Sequence, residues 1–351
     1  MLSKITARMR YFRILLFIAL SGSLVLSCKE TLNVNADWKD ITVVYGLLDQ
    51  TDSMHYIKIT KAFLGEGNAL SFAKIADSSN YHDGLEVSIG EYYINAAKDS
   101  VLARTILCDT VTIHDKQKGD SIFYYPDQLM YYFTENIEHS KDSNFFYKLN
   151  ILEPTTNKMI RSKSVLVDDK FSIEKPPDIP NFTVNYLPGY KTQLKWTSAK
   201  NGRRYQVALR LLYLETLISD PSKRDSTTIE WVIFSNRQTD NTQGGKTMEE
   251  YFSNDGFYGF LHANIPVNPL VTRAVRKIEY VFTVGSDDLN TYMEVTEPAT
   301  TIVQERPNFS NIDNGIGLFA SRTKRLVGPF RLGQETVDEI RVNALTKDLG
   351  F

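Results

Sequence analysis

The sequence predicts a mainly β fold built from two β-sandwich domains, with a few short helices in the C-terminal half. Short runs of β-branched and aromatic residues alternate with polar turns along most of the chain, and amphipathic helical stretches are few. A proline-rich segment at 175–180 divides the chain. Its 351 residues are more than one hydrophobic core usually organises. Many short antiparallel strands close most readily into sandwiches.

The N-terminal segment predicts export and lipid attachment. Four basic residues precede an apolar run over 14–26, which suits a secretory signal and is shorter than the roughly 20 residues of a membrane span. The stretch Val25-Leu26-Ser27-Cys28 resembles the lipobox of bacterial lipoproteins. The resemblance implies that residues 1–27 are removed, that Cys28 is acylated, and that 28–37 form a tether. An ordinary secretory signal with a chance cysteine, or an uncleaved anchor, are the alternatives.

Charge argues against nucleic acid and anionic headgroups as partners. The chain has 40 Lys and Arg against 42 Asp and Glu, and residues 1–27 contain four of the basic residues and no acidic one. The remainder therefore has 36 against 42, a net charge of −6. Nucleic acids and acidic lipid surfaces require concentrated basic charge. Membrane attachment is therefore expected to come from the acyl chains on Cys28.

Cysteine content limits the redox and metal chemistry that the chain can offer. After Cys28 the sequence has one further cysteine, Cys108, within a predicted strand over 103–113. A single thiol forms no intrachain disulfide and cannot supply a cysteine-based zinc site. We expect Cys108 to be buried and inert, and we predict no cofactor.

The N-terminal sandwich is predicted over 38–174. It begins with a hairpin of strands at 41–48 and 54–63 around a polar loop. A short helix is predicted at 69–76. Further strands are predicted at 85–89, 91–94, 103–113, 122–134, 144–152 and 159–166.

The C-terminal sandwich is predicted over 181–303, after a linker at 175–180 that has three prolines. Trp196, the Asn201-Gly202 turn and the strand from Tyr205 resemble the early strands of a fibronectin type III module. Strands at 227–236 and 277–284 continue this domain. A helix is predicted from Thr247, with Glu250 at the capping-box position, and another over 286–295 with Ser286 as its cap.

A C-terminal extension over 304–351 is expected to pack back on the two domains. Asn314-Gly315 is a turn signal, the stretch 316–319 is apolar enough to be buried, and 335–340 is expected to be a last helical turn or two.

Several segments of the chain together resemble one protein family. They are the segment 43–48, the hairpin that follows it, the proline linker, Trp196 and the phrase at 310–319. That family consists of uncharacterised Bacteroidetes outer-membrane lipoproteins that have a domain of unknown function. The resemblance implies an N-terminal β-sandwich, a fibronectin type III-like C-terminal part and lipid anchoring in the outer membrane. It also implies, for some members, association with TonB-dependent receptors. It supplies no catalytic residues. Lys29-Glu30 resembles the surface-export signal of Bacteroidetes lipoproteins, but Thr31 stands where that signal has a second acidic residue, so the periplasmic and surface faces both stay open.

Candidate chemical motifs favour structural roles. The five histidines, at 55, 82, 114, 139 and 262, lack metal-ligand spacing. The segment 243–247 ends like a phosphate-binding loop, but Asp240 stands where that loop needs glycine. The pairs Asp168-Asp169 and Asp287-Asp288 lack the alternation of a calcium loop.

Aromatic groups at 124–125, 131–133, 251–252 and 257–258 are either binding surfaces or strand formers. The sequence therefore predicts a lipid-anchored accessory or binding protein without catalysis and without a metal or cofactor. A structural or adhesive surface protein is the first alternative. A carbohydrate-active enzyme, with two carboxylates about 5–9.5 Å apart in a cleft, is the second.

Overall fold

A computed structural model describes residues 39–64, 80–81, 84–114, 127–137, 145–297 and 308–351. It confirms the mainly β fold, with seventeen strands and three helices in these ranges. The first nine strands are β1 Lys39–Asp49, β2 His55–Leu64, β3 Glu86–Ile94, β4 Ser100–Leu107, β5 Asp109–Ile113, β6 Gln128–Phe133, β7 Phe145–Glu153, β8 Lys158–Ser164 and β9 Ile173–Lys175.

The remaining strands are β10 Thr183–Val184, β11 Lys191–Thr197, β12 Arg204–Leu217, β13 Asp220–Gln238, β14 Thr247–Ser253, β15 Val271–Gly285, β16 Ile312–Asp313 and β17 Gly315–Leu332. The helices are α1 Asp255–Asn264, α2 Asp287–Thr296 and α3 Gln334–Val342. The predicted helix at 69–76 and the start of the predicted strand at 122–134 lie outside the described residues, as does Cys28.

Three sheets organise these strands. The largest has nine strands, in the order β13-β12-β15-β17-β1-β2-β6-β5, with β10 also paired to β17. A five-stranded sheet has the order β16-β8-β7-β3-β4, and a three-stranded sheet has the order β14-β11-β9.

Two hydrophobic cores lie against the nine-stranded sheet. One combines side chains of the five-stranded sheet, such as Ile89 and Leu149, with Val44 and Ile57 of β1 and β2. The other surrounds Trp196, which is fully buried and packs against Tyr205 and Phe282. The predicted central role of Trp196 is thus confirmed. Asn201 has φ 61°, so the predicted positive-φ turn is also confirmed.

The long strand β17 pairs with strands from both of the predicted sandwich domains. It pairs in parallel with β1 from Thr42↔Gly315 to Asp49↔Arg322, and antiparallel with β15 up to Gly285↔Arg322. Part of the region predicted as an extension is therefore a central strand of the largest sheet. One sheet consequently runs through strands from 38–174, 181–303 and 304–351.

The predicted helix from Thr247 is wrong. Residues 247–253 form strand β14, which pairs with β11 from Thr197↔Thr247 to Lys191↔Ser253. Glu249 and Tyr251 are exposed while Phe252 is buried, which is strand alternation. The helix of this region begins later, at Asp255.

The other two predicted helices are confirmed as α2 and α3, with bounds within two residues of those predicted. Ser286 stands at the N-cap of α2 but makes no side-chain capping bond. Its hydroxyl instead accepts a hydrogen bond from the backbone N–H of Ser321, at 3.3 Å.

The predicted single strand at 103–113 is two strands in different sheets. Strand β4 ends at Leu107 in the five-stranded sheet, and β5 begins at Asp109 in the nine-stranded sheet. Cys108 lies at the crossing, and its N–H donates to the carbonyl of Val87 at 2.9 Å. In contrast, the two strands predicted at 85–89 and 91–94 are one continuous strand, β3.

Candidate functional site: a cleft on the outer face of the nine-stranded sheet

Strand β12 gives the nine-stranded sheet two different faces. Tyr205, Val207 and Leu209 are buried in the core around Trp196. Because successive side chains of a strand point to opposite faces, the residues between them lie on the other face. We call this the outer face. Its β12 residues are Arg204, Gln206, Ala208 and Arg210.

Strand register aligns the outer-face residues of neighbouring strands in rows. Val281 of β15 lies opposite Ala208 of β12, and Leu326 of β17 lies opposite Val281. Val232 of β13 lies on the other side of Ala208. These four residues form an apolar row that crosses four strands.

Two polar rows follow along the strands. Thr283 lies opposite both Gln206 and Lys324, and Gly285 lies opposite both Arg204 and Arg322. The central positions of the three rows are small residues, whereas several of the flanking side chains are long. This size pattern leaves a depression in the sheet surface, which we call the outer cleft. Its volume is about 360 Å³, within the range of ligand-binding clefts.

Helix α2 forms one wall of the outer cleft through Leu289 and Met293. It approaches the sheet closely because Gly285 has no side chain. A Cβ at Gly285 would lie 2.9 Å from Cδ2 of Leu289. Leu47 of β1 also lines the cleft.

Arg204 is a buried cation of the cleft, with 6% of its surface exposed. Its Nε donates to the carbonyl oxygen of Ser235 at 3.2 Å. Its guanidinium also pairs with the carboxylate of Glu297, the residue that follows α2. Burial of an arginine is costly unless its charge is paired. These two contacts supply that pairing and fix the guanidinium beside the cleft.

Arg322 and Lys324 are held by two carboxylates, that of Asp49 at the end of β1 and that of Asp52 in the turn that follows. Asp49 is fully buried and accepts from Nε of Arg322 at 3.0 Å, while Nζ of Lys324 lies 3.3 Å from the same carboxylate. Lys324 also lies 3.3 Å from Asp52. Burial alone would raise the pKa of Asp49, but hydrogen bonds from Thr51 and the charges of Lys324 and Arg322 outweigh it. The pKa of Asp49 is therefore lowered, and its carboxylate is ionised at neutral pH.

Arg210 is the fourth cation of the cleft. Its Nε donates to the carboxylate of Glu230 on β13 at 2.7 Å, and both side chains are exposed. Glu230 is the one carboxylate among the described residues that line the cleft, together with four cations.

Tyrosines extend the outer face beyond the cleft. Tyr45 of β1 meets Tyr292 of α2 edge to face, with their hydroxyl oxygens 3.3 Å apart. This hydrogen bond, with burial, raises the pKa of Tyr45 to about 12. Tyr132 packs against Tyr56, with ring centroids 6.3 Å apart. Within the predicted group 131–133, only Tyr132 is on this face, because Tyr131 and Phe133 are buried in the core.

The structure does not bring the described histidines together. His55 is buried against Phe133, His114 contacts Asp127 at 3.0 Å, and Nδ1 of His262 lies 2.9 Å from the carbonyl oxygen of Leu345. His82 and His139 lie outside the described residues. Within the described ranges, no three His, Cys, Asp or Glu side chains are close enough to hold a metal ion.

The acidic pairs and the glycine loop have local partners. Asp168 accepts from the N–H of Lys170 in a turn, Asp287 lies 3.5 Å from Arg203, and Asp288 accepts from Asn311. In the loop at 243–247, Lys246 pairs with Asp240 at 2.7 Å.

The remaining predicted groups separate into core and surface. Phe252, Phe257 and Tyr258 are buried in the core around Trp196, whereas Tyr251 is exposed and hydrogen-bonds to Glu249. Burial raises the pKa of the Cys108 thiol to about 12, so the reactive thiolate is disfavoured. The aromatic pair at 124–125 lies outside the described residues.

Sequence reasoning missed the outer cleft. A signal was present in β12, where arginines at 204 and 210 alternate with core residues and flank the small Ala208. The residues of β15 and β17 that complete the cleft lie far along the chain from β12, so the pattern in β12 alone does not predict a cleft.

In the part of the chain that the structure describes, no helix combines the length and apolar character needed to cross a membrane. The sequence matches no model of a known protein family, and no curated protein matches it significantly.

Proposed function

We propose that this chain is a lipid-anchored accessory protein of the outer membrane that binds a partner through the outer cleft and catalyses no reaction. The cleft is the single observation on which the binding role rests. It combines Ala208 and Val281, four cations and a helix wall in one depression of about 360 Å³. Clefts with apolar surface and a few convergent polar groups are typical of binding sites.

Anchoring is proposed from the sequence around Cys28 and from the family resemblance. The same resemblance favours an outer-membrane receptor as the partner. A protein held at the membrane by acyl chains keeps its folded part close to such a receptor, which raises the effective concentration of the two proteins.

Site-directed photo-cross-linking tests the binding role. A benzophenone amino acid replaces Val232, which is 45% exposed and lies opposite Ala208 of the cleft on the neighbouring strand. The control position is Val342, which is exposed on α3 and does not line the cleft. In intact cells we expect one defined adduct from position 232 and none from 342.

A second substitution makes the cross-linking result specific. Ala208→Trp fills the floor of the cleft and is expected to abolish the adduct from position 232. Equal adducts from both positions, or an adduct that Ala208→Trp leaves unchanged, would contradict a binding role for the cleft.

The anchor is tested separately. Cys28→Ser removes the thiol that would be acylated, so we expect the folded protein to move from the membrane fraction to the soluble fraction. Cys108→Ser is the matched control and should leave the protein in the membrane fraction. If Cys28→Ser still sediments with membranes after a high-salt wash, lipid anchoring at Cys28 is wrong.

A further inference from the structure

We propose that strand β4 is a second binding site, where an extended segment of a partner protein adds to the open edge of the five-stranded sheet. The added segment places an apolar side chain, with a basic residue beside it, in a cavity at the end of β4. This site is separate from the outer cleft and does not depend on the function proposed for that cleft.

Strand β4 is the last strand of the five-stranded sheet, and among the described residues it pairs only with β3. Six of its eight residues are exposed, including Leu102 at 48% and Leu107 at 75%. Proteins usually protect such an edge with charged residues, with proline or by keeping the strand very short. Strand β4 has no proline and one charged residue, Arg104, which is paired with Glu91 at 2.9 Å.

The other edge strands of the described sheets have this protection. Strand β13 contains six charged residues, β14 contains Glu249 and Glu250, and β9 is followed directly by Pro176 and Pro177. Strands β5, β10 and β16 have only five, two and two residues. Within the described ranges, β4 is therefore the edge most open to pairing with another chain.

The hydrogen-bond pattern shows which backbone groups of β4 face the open edge. The N–H of Cys108 donates to the carbonyl oxygen of Val87 on β3 at 2.9 Å. Hydrogen-bonded and non-hydrogen-bonded positions alternate along an antiparallel pair, so the backbone of Ile106 also points to β3. The N–H and C=O groups of Thr105 and Leu107 consequently point away from β3. An added strand can pair with all of these groups.

A cavity of about 450 Å³ lies at the end of β4, where the chain crosses to the nine-stranded sheet. We call it the crossing pocket. Leu107, Leu152, Met159 and Cys108 are among the residues that line it. Directly opposite residues on neighbouring strands have their side chains on the same face. A side chain of the added strand opposite Leu107 therefore lies beside the crossing pocket and can enter it.

Charge at the crossing pocket favours a basic residue in the added strand. Glu86 is exposed and is the one charged residue among the described residues that line the pocket. The charge of Glu135 also acts on Cys108 and, together with burial, raises the pKa of its thiol. A Lys or Arg next to the apolar side chain of the ligand would meet these carboxylates.

The geometry of the edge favours a different protein over a second copy of this chain. The register shifts between Arg104 and Leu102, so only 104–107 offers a regular edge before the chain leaves the sheet. Two copies paired symmetrically about Ile106 would place Leu107 of each beside Thr105 of the other. The crossing pocket of each copy would then stay unfilled.

Selection from a random octapeptide display library on the purified full chain tests the proposal. We expect the enriched peptides to share an apolar residue next to Lys or Arg. Thr105→Pro removes an N–H that faces the open edge and breaks no hydrogen bond to β3, so it should weaken binding of an enriched peptide about tenfold. Thr105→Val is the matched control, because it keeps the N–H and should keep the affinity.

A second pair of variants tests the crossing pocket without a proline in the strand. Leu107→Ser removes apolar surface from the pocket and should weaken binding of the same peptide about tenfold. Leu102→Ser is its control, because Leu102 is exposed on the same strand but lies beyond the register shift and does not line the pocket. Glu86→Gln should reduce the preference for Lys or Arg in the peptide.

Hydrogen exchange measured by NMR gives a readout that is independent of affinity. In the free protein the amides of Thr105 and Leu107 should exchange faster than the amide of Ile106, which is bonded to β3. A saturating enriched peptide should slow exchange at Thr105 and Leu107 about tenfold or more and leave Ile106 unchanged.

No enrichment above a selection without protein, equal peptide affinity of Thr105→Pro and Thr105→Val, or no added protection at Thr105 and Leu107 would each overturn the proposal. A dimer of the free chain that Thr105→Pro abolishes would also overturn it, because the edge would then bind a second copy. None of these results alters the photo-adduct from position 232, which tests the outer cleft alone.

Discussion

His55 is a histidine whose environment disfavours its charged form. Only 3% of its surface is exposed, and its ring stacks on Phe133 with the centroids 4.6 Å apart. Burial lowers the pKa of His55, although the charges of Asp52, Asp49 and Glu135 act in the opposite direction. The unfolded chain therefore binds this proton more tightly than the folded chain. Stability should fall as the pH drops below the ordinary histidine pKa of about 6.5.

The substitution His55→Phe is predicted to remove this contribution to acid sensitivity. The new ring can still stack on Phe133, but it has no proton to bind. Urea titrations at pH 7.5 and pH 5.5 measure the free energy of unfolding, and the decrease between the two pH values should be smaller in His55→Phe. Tyr56→Phe, at the next residue, is the control and should keep the wild-type decrease. An unchanged decrease in His55→Phe would show that burial does not shift the pKa of this histidine.

At the scale of single elements, β17 has a requirement for glycine at position 317. Gly317 has φ 122°, and a Cβ there would lie 2.0 Å from the carbonyl oxygen of Val44 on β1. An alanine would therefore be strained in its own backbone and would also force β1 and β17 apart.

We predict that Gly317→Ala reduces the free energy of unfolding by about 3 kcal/mol or more, because strain and lost strand pairing add. Gly189→Ala is the matched control. Gly189 also has positive φ, 78°, but no atom lies within 4 Å of its Cβ position, so only the backbone cost of about 1 kcal/mol is expected. Urea unfolding monitored by circular dichroism measures both, and equal losses would contradict the close approach of β1 to β17.

Elements whose character is set locally were predictable, and those set by distant partners were not. Helices α2 and α3 and the strands β1, β2, β7 and β8 follow from local apolar patterns. The segment 247–252 has helix-capping residues, yet pairing with β11 makes it a strand. In β14 the side chain of Glu250 lies on the same inward face as Phe252 and pairs with Arg237 at 2.5 Å. The inward face of this segment is therefore not fully apolar, and its sequence lacks the regular alternation that predicts a strand. Likewise, nothing local marks the change of sheet at Cys108.

At the scale of the whole molecule, the sequence anticipated two cores but not the sheet that they share. Along the chain, the N-terminal core ends at Leu166 apart from two later residues, and the C-terminal core begins at Val167. The division therefore lies shortly before the segment 175–180, and Val167, Phe171 and Ile173 of the C-terminal core precede that segment. Ile312 and Phe319 are exceptions, because they belong to the N-terminal core although they lie between Val284 and Val327 of the C-terminal core along the chain. Parallel pairing of β1 with β17 joins residues some 270 positions apart, and such pairing has no local signal. The outer cleft depends on the same distant register and was missed for the same reason.

The shared sheet predicts that the two cores unfold together. Strand β17 places Phe319 in the N-terminal core and Val327 and Phe330 in the C-terminal core, so neither core is complete without this strand. Trp196 and Trp231 report on the C-terminal core. Cys108 is partly buried against the N-terminal core, and burial raises the pKa of its thiol, so its reaction with a labelling reagent should become faster when that core opens.

A urea titration of the double variant Cys28→Ser, Trp38→Phe can follow both probes in one sample. In this variant Cys108 is the only thiol, and Trp196 and Trp231 are the only tryptophans. The midpoints from fluorescence and from thiol labelling should coincide, and Gly317→Ala should lower both by the same amount. Two separate midpoints, with only one displaced by Gly317→Ala, would mean that the cores are independent sandwiches that happen to share a strand. Coincident midpoints would mean that the pairing of β1 with β17 makes the two cores one cooperative unit.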